Sequence, residues 1–483
     1  MPSPPEPDLP DTPSRGGYVP LERSGWANDT SLFSGRVAFV FATKISQLGL
    51  GAATLWVIAW LLGDGPSGEY GLLQTWVGML FAVGQLGMPA AMTYLAGRGR
   101  SLVSLERLAI VLTAAISAVL GLGSILALPV LLDSVLQALS GTHATTSEDL
   151  FRLVLIALPC QLLMQFAAGI LYTRGHNRAF NGIQVGQAAF MLILTLILVT
   201  VIPLGVTGAV AAYLIASCAG ALVAVYEVHR LARRPEGSAG PAASPREFVS
   251  YGIRLYPSNL MSFFNYRADV LLLSWLLGDL RLIAYYAIAV RLAEMTFMIP
   301  DAISAMLYPA ISASERPEAD RFAPSVARFT MLATGLAAAA IIPAGFVAIW
   351  FLLPHEFRPA FPALVVIMPG IVSLSLSKVL ASYISGVGRP MPTAVAAIVA
   401  LTLNIVANLI LIPRWGIVGA SASSLISYTC HALILLAMAS RMAKVSPLAF
   451  IVPGATEVER MRRSLARGLT RMRASTARTR PAG

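Results

Sequence analysis

Charge is what this sequence has least of. Only 12% of its 483 residues are Asp, Glu, Lys or Arg, about half of the roughly 25% usual in a soluble globular chain. Lysine is nearly missing, with Lys44, Lys378 and Lys444 alone. Cysteine is equally scarce: Cys160, Cys218 and Cys430 each fall inside an apolar run, without CxxC or metal-ligand spacing. They read as small buried apolar residues, which excludes a disulfide framework and a zinc site. The five histidines are scattered, and no GxxxxGK[ST], HExxH or GxSxG occurs. No P-loop, zincin or serine-hydrolase chemistry is therefore expected, and no cofactor motif is present. Long polar loops are also lacking, which leaves little room for the external catalytic loop of a membrane glycan polymerase or ligase. The expectation is a protein that is not an enzyme.

What the sequence does have is apolar residues, 56% of the chain, with a mean hydropathy of +0.71. They recur in runs of about 20, the length of helix that crosses a bilayer core of about 30 Å. The runs are apolar nearly all round, which argues against a soluble helical solenoid with amphipathic stripes. Twelve spans are expected: 36–62, 71–97, 107–132, 150–173, 180–203, 206–230, 248–277, 281–311, 325–352, 361–387, 391–412 and 416–440. The fold class is all-α integral membrane. Residues 1–34 are polar and proline-rich, without the apolar core of a signal peptide, and read as a disordered cytoplasmic tail.

The net charge of +11 would suggest nucleic acid in a soluble protein. Here the arginines gather in the connections after even-numbered spans (Arg98, Arg100, Arg107, Arg174, Arg178, Arg233, Arg234, Arg246, Arg316, Arg321 and Arg389). The other connections hold only Arg281, Arg358 and Arg414 near the membrane edges. By the positive-inside rule the even-numbered connections and both termini are cytoplasmic, and no nucleic-acid partner is expected.

The chain also repeats itself. Trp60-Leu61-Leu62-Gly63-Asp64 recurs as Trp275-Leu276-Leu277-Gly278-Asp279, and Tyr70 meets Tyr285 in the same register. Gly175 and Arg178 match Gly386 and Arg389; Gly205, Gly208 and Ala209 match Gly416, Gly419 and Ala420. Ordered matches of this kind point to two parallel six-helix repeats around a central cavity. The expected domains are a lobe over 35–230, a cytoplasmic linker over 231–247, a second lobe over 248–442 and a basic tail over 443–483. In that tail Val458, Met461, Leu465, Leu469 and Met472 share one helical face, with arginines on the others. Such a helix is expected to lie on the membrane lipids of the cytoplasmic leaflet.

Eight ionisable residues fall deep within the spans, away from their ends: Lys44, Arg254, Arg267, Asp269, Arg291, Glu294, Asp301 and Lys378. Each costs roughly 2.5–3.5 kcal/mol at mid-bilayer, so they should face one another or a wet cavity. In span 7, Arg254, Ser258, Ser262, Asn265 and Asp269 form a polar stripe; Arg267 lies off it. Lys44, Gln47, Gly51 and Thr54 do the same in span 1, as do Ser375, Lys378, Ser382 and Ser385 in span 10. Arg291, Glu294 and Asp301 share a face in span 8. Structural ion pairs and a transport site are both open readings for these groups. Lys44 and Lys378 have no acid in their own spans, which favours an anionic ligand.

Leu61-Leu62-Gly63 followed by Gly68-Glu69-Tyr70-Gly71-Leu72 resembles the polysaccharide-transport, Wzx-type branch of the MOP flippase superfamily. Asp269-Val270-Leu271-Leu272-Leu273, Ala284-Tyr285-Tyr286, Val290-Arg291-Leu292 and Leu307-Tyr308-Pro309-Ala310 are similar to that family's seventh and eighth spans. Ile412-Pro413 before Gly416-Ile417-Val418-Gly419-Ala420 fits as well. The resemblance covers about residues 35–440. It implies two six-helix lobes in the bacterial inner membrane and movement of a lipid-linked oligosaccharide, on undecaprenyl diphosphate, to the outer leaflet. It also implies polysaccharide polymerase and export proteins as partners, and H+ or Na+ as a coupling ion carried by Asp269, Glu294 or Asp301. Lys44, Arg267, Arg291 and Lys378 would then meet the diphosphate, with Gln47, Arg254, Ser258, Ser262 and Asn265 lining the cavity. Only Asp269 and Arg291 fall on matched positions. A MATE-like exporter of cationic drugs would favour acids in the cavity, where five cations face three acids.

The charge pattern makes a direct prediction. A reporter active only outside the cytoplasm should be active when inserted at 133–149 and inactive when fused after 443.

Overall fold

The computed structural model describes residues 35–452 apart from 98, 140–143, 235–239 and 314–315. The N-terminal tail and the amphipathic segment from Val458 lie outside the described residues. Among the described residues the only regular structure is helix. The first six columns are α1 (Gly35–Leu62), α2 (Asp64–Gly84, resuming as Met88–Gly97), α3 (Leu102–Leu139), α4 (Ala144–Val154, then Ala157–Thr173), α5 (Asn177–Leu196, then a π turn Ile197–Val201) and α6 (Gly205–Ala232). The second six are α7 (Pro245–Leu277), α8 (Leu280–Glu294, a 3-10 turn Met295–Phe297, then Met298–Ala313), α9 (Arg316–Val347, then a π turn Ala348–Leu352), α10 (Ala360–Gly386), and α11 and α12. The last two share one continuous stretch, Met391–Ala443, kinked at Gly416. A short α13 (Leu448–Ile451) follows.

Nine of the described helices are long and apolar enough to cross a membrane, with Met391–Ala443 counted once. The broken α2 and the polar α7 complete the columns, so the chain is an all-α, multi-pass membrane protein.

The breaks have local causes. In α2, Leu86 and Gly87 take positive φ of 43° and 69°, which frees carbonyls one turn earlier. The Tyr256 hydroxyl of α7 donates to the carbonyls of Ala82 and Val83, as an apolar solvent requires of freed backbone groups. A Cβ at 87 would stand 2.2 Å from the Gly252 carbonyl, so glycine lets the break press on α7. In α8, Pro300 has no N–H for the Thr296 carbonyl, and the 3-10 turn falls there. The repeated glycines also find their reason. Gly205 and Gly416 take φ of 60° and 56°. Three residues on, a Cβ at Gly208 or Gly419 would lie 2.6 Å or 2.2 Å from the carbonyl of Leu198 or Leu411.

Packing divides the molecule unevenly. One apolar cluster runs through α2–α6 and the start of α7, from Met88 to Phe248. A second joins α8–α12 and α13, from Leu307 to Phe450. Both lie at the end of the bundle that carries the even-numbered connections. At the opposite end a single cluster takes residues from both halves, from Ile58, Tyr70 and Phe151 to Tyr286, Phe357 and Ile412. The halves are thus fused at one end and have separate cores at the other. The main joint between them is α2 against α8. The start of α7 belongs with the first half: Phe248 is in its core, and Arg100 pairs with Glu247 at 2.8 Å.

Gly416→Val should cost about 1–2 kcal/mol, because a β-branched residue cannot hold this backbone. The measurement is a lowered melting temperature in detergent. Gly335→Ala, mid-helix with nothing within 4 Å of the new methyl, should melt at or above the parent.

Candidate transport cavity

Just inside the fused end, a cavity of about 300 Å3 lies between the halves. The first half supplies Gly51, Thr54 and Leu55 of α1, Tyr70, Gly71, Gln74, Thr75 and Gly78 of α2, and Met191 of α5. The second supplies Phe263, Arg267 and Val270 of α7 with Ala287, Val290, Arg291 and Glu294 of α8. Small residues at 51, 71, 75 and 78 leave room for the side chains opposite.

Three of those side chains form a triad. Arg267 Nη2 lies 2.9 Å from Glu294 Oε1, and Arg291 Nη1 lies 3.8 Å from Oε2. One carboxylate therefore serves two guanidinium groups, and Arg291 is held the more loosely. Its buried Nε has no hydrogen-bond partner. Its far end reaches across to the first half, where a Cβ at Gly51 would stand 2.2 Å from Nη2. Glycine at 51 is thus the seat of the Arg291 guanidinium.

A second ionic station lies seven residues further along α8, about 10 Å at 1.5 Å per residue. There Lys378 Nζ of α10 donates to Asp301 Oδ1 at 2.5 Å and sits 4.1 Å from the Phe297 ring centroid, a cation–π contact. The acid that Lys378 lacked in its own span is on α8. Lys44 of α1 is exposed. Among the described residues Lys44 makes no ion pair within 4 Å.

Other expected site residues fall elsewhere. Asp269 is buried inside the second half, where Tyr286 and Ser424 donate to its carboxylate, the latter at 3.1 Å, and its own helix contributes Val270 N–H at 2.9 Å. Asn265 accepts from Ser427 at 2.7 Å. These two members of the α7 stripe turn to the serines of α12, and Arg267, off the stripe, faces the cavity. Asn265 therefore does not line the cavity. Neither does Gln47, whose amide bonds Gln184 of α5 at 2.7 Å within the first half; the cavity takes Gly51 and Thr54 from that stripe instead. The side chains of Arg254, Ser258 and Ser262 lie outside the described residues. Sequence reasoning missed Gln74 and the α2 wall. Its signal was there, since Gly71, Gln74, Thr75 and Gly78 recur at helical spacing. Gln74 donates to the Tyr70 hydroxyl at 2.7 Å, which orients both toward the cavity.

Residues 36–315, more than half of the chain, match the family model described as polysaccharide biosynthesis protein. The chain belongs to this family. No curated protein matches it. Among solved structures, an inward-facing multidrug resistance MATE transporter of the MOP superfamily is similar over 83% of this chain and 96% of its own, with TM-score 0.69 and 15% identity. The lipid II flippase MurJ, in an inward closed conformation, is similar over 83% and 87%, with TM-score 0.66 and 16% identity. An outward-facing MATE transporter follows at TM-score 0.61, 15% identity, 85% and 97%. At such identities the likeness is one of fold, and this family member has the fold of MOP-superfamily transporters.

Glu294→Gln leaves two guanidinium groups without their carboxylate. Breaking one side of a buried pair costs about 3–5 kcal/mol, reduced here because both arginines are about 30% exposed. A loss of about 1–3 kcal/mol is expected in thermal melts, partly restored by adding Arg267→Gln.

Proposed function

We propose that the protein flips a lipid-linked oligosaccharide, carried on a diphosphate, from the cytoplasmic to the outer leaflet of the bacterial inner membrane. The observation that carries this is the charge balance along the path between the halves. Lys44, Lys378, Arg267 and Arg291 stand against Glu294 and Asp301, which leaves two positive charges uncompensated. A diphosphate diester brings two negative ones. Guanidinium groups match phosphate oxygens in pairs of hydrogen bonds, and Arg291 has donors to spare.

The arginine-rich connections support a cytoplasmic position for the end where the cores are parted. On our reading the parted end is then the side where the lipid-linked glycan is made and loaded. A negative cell interior favours outward movement by about 2.3 kcal/mol per charge per 100 mV, so two charges gain about 4–5 kcal/mol without ATP. Of the three acids considered for coupling to H+ or Na+, Glu294 and Asp301 are engaged with cations. Asp269 has no Lys or Arg within 4 Å among the described residues and is the coupling candidate. Surface polysaccharide polymerase and export proteins would take the product onward. The fold is shared with MATE exporters, but an excess of cations disfavours cationic cargo.

Deleting the gene should cause diphosphate-linked glycan to accumulate in the inner leaflet. Unchanged lipid with raised susceptibility to cationic drugs would favour the exporter reading instead. Arg291→Ala and Lys378→Ala should each reduce glycan translocation at least tenfold at normal protein level. Gly51→Ala, which displaces only the flexible end of Arg291, should weaken transport while melting like the parent.

A further inference from the structure

The repeated Trp-Leu-Leu-Gly-Asp segments end at the fused end of the bundle, where α1 turns into α2 and α7 into α8. Perfect two-fold symmetry would make two equivalent contacts there, Tyr285 with Asp64 and Tyr70 with Asp279. One is made. The Tyr285 hydroxyl of α8 donates to Asp64 Oδ2 of α2 at 2.5 Å. Its counterpart Asp279 turns to its own helix and accepts from Arg281 N–H at 2.9 Å, while Tyr70 accepts from Gln74. The positions flanking the contact are unequal as well. Arg281 Nε lies 3.9 Å from Asp64, where the first half has Pro66 in the same register. Gly68 lets α2 ride on the backbone of α8, since a Cβ there would stand 1.8 Å from the Leu280 carbonyl; the matched position in α8 is Ile283. Around this corner the Tyr285 ring packs edge-on against Phe357, and Trp56 of α1 donates to the Leu352 carbonyl at 3.2 Å.

We propose that Tyr285 and Asp64, seated by the Gly68–Leu280 contact, form a one-sided latch that holds the fused end of the two halves shut and must release for the cavity to open there. The joint of α2 with α8 is the main one between the halves, and Tyr70 and Gly71, one to two turns inward of Asp64, already line the cavity. An opening of the cavity at this end has to part that joint. The latch depends on transport through the cavity and not on the identity of the cargo. Removing one hydroxyl therefore shifts the balance between closed and open forms, because the opposite corner has no equivalent bond to compensate.

The test uses the full-length protein in native membranes, with the three cysteines replaced by alanine and one introduced as Thr75→Cys in the cavity wall. A membrane-impermeant maleimide is applied from the face of the odd-numbered connections. Tyr285→Phe, which keeps the ring on Phe357, should raise the labelling rate at least threefold over the parent. Gly68→Ala, which wedges α2 from the α8 backbone, should raise it as much or more. Asp279→Asn, at the matched corner, should label at the parental rate. The proposal is overturned if Tyr285→Phe labels like the parent while remaining folded by melting temperature. It is also overturned if Asp279→Asn opens the cavity equally, because the two corners would then be equivalent. Neither readout requires any glycan, so failure of the proposed cargo leaves this test intact.

Discussion

A carboxylate or guanidinium in the membrane interior must be matched by an opposite charge or by water, and the interior of this protein is arranged around that need. Glu294 meets it for two arginines, one firmly and one loosely. Asp301 meets it for Lys378. Because the partners come from α7, α8 and α10, the ion pairs set the depth at which these helices meet. Replacing such groups by apolar ones would be cheaper for stability. They lie on the boundary between the halves, beside the cavity that small residues leave there, which is where the proposed cargo would meet them.

Asp269 follows a different rule. It is fully enclosed within the second half, with hydroxyl and backbone donors in place of a cation. The two kinds of acid are therefore separated by location: those on the boundary neutralise cations, and the one inside a half is bound to the polar face of α12. Asn265 with Ser427 extends that inner network by one turn.

The helices were legible in the sequence because a membrane span is a long signal. Twenty apolar residues cannot be mistaken for much else, and the glycines at 205 and 416 mark two of the turns. The break in α2 was not read, although Gly84 and Gly87 lie there, because the apolar run continues across it. The pairings were legible only where they are local. Arg291 and Glu294 are three residues apart on one helix, whereas Lys378 and Asp301 are 77 apart in the chain, and no periodicity joins them. The α7 stripe misled for a related reason. A row of polar residues shows that a face is polar but not what it meets, and α12 offers serines at 424 and 427 to that face. Arg267 lies two residues after Asn265, about 200° around the helix, and so points to the opposite side.

Four of the connections at the fused end are tight. Gly63 alone separates α1 from α2, Gly278 and Asp279 separate α7 from α8, three residues separate α5 from α6, and α11 runs into α12 at Gly416. Chain this short has no slack. Each such pair is tethered at the fused end, and its members cannot draw apart there. Any rearrangement on that side of the membrane is a displacement of whole hairpins past one another. The freedom to change shape then lies in the longer chain leading from α9 into α10 and in the broken interiors of α2 and α8, not in the turns.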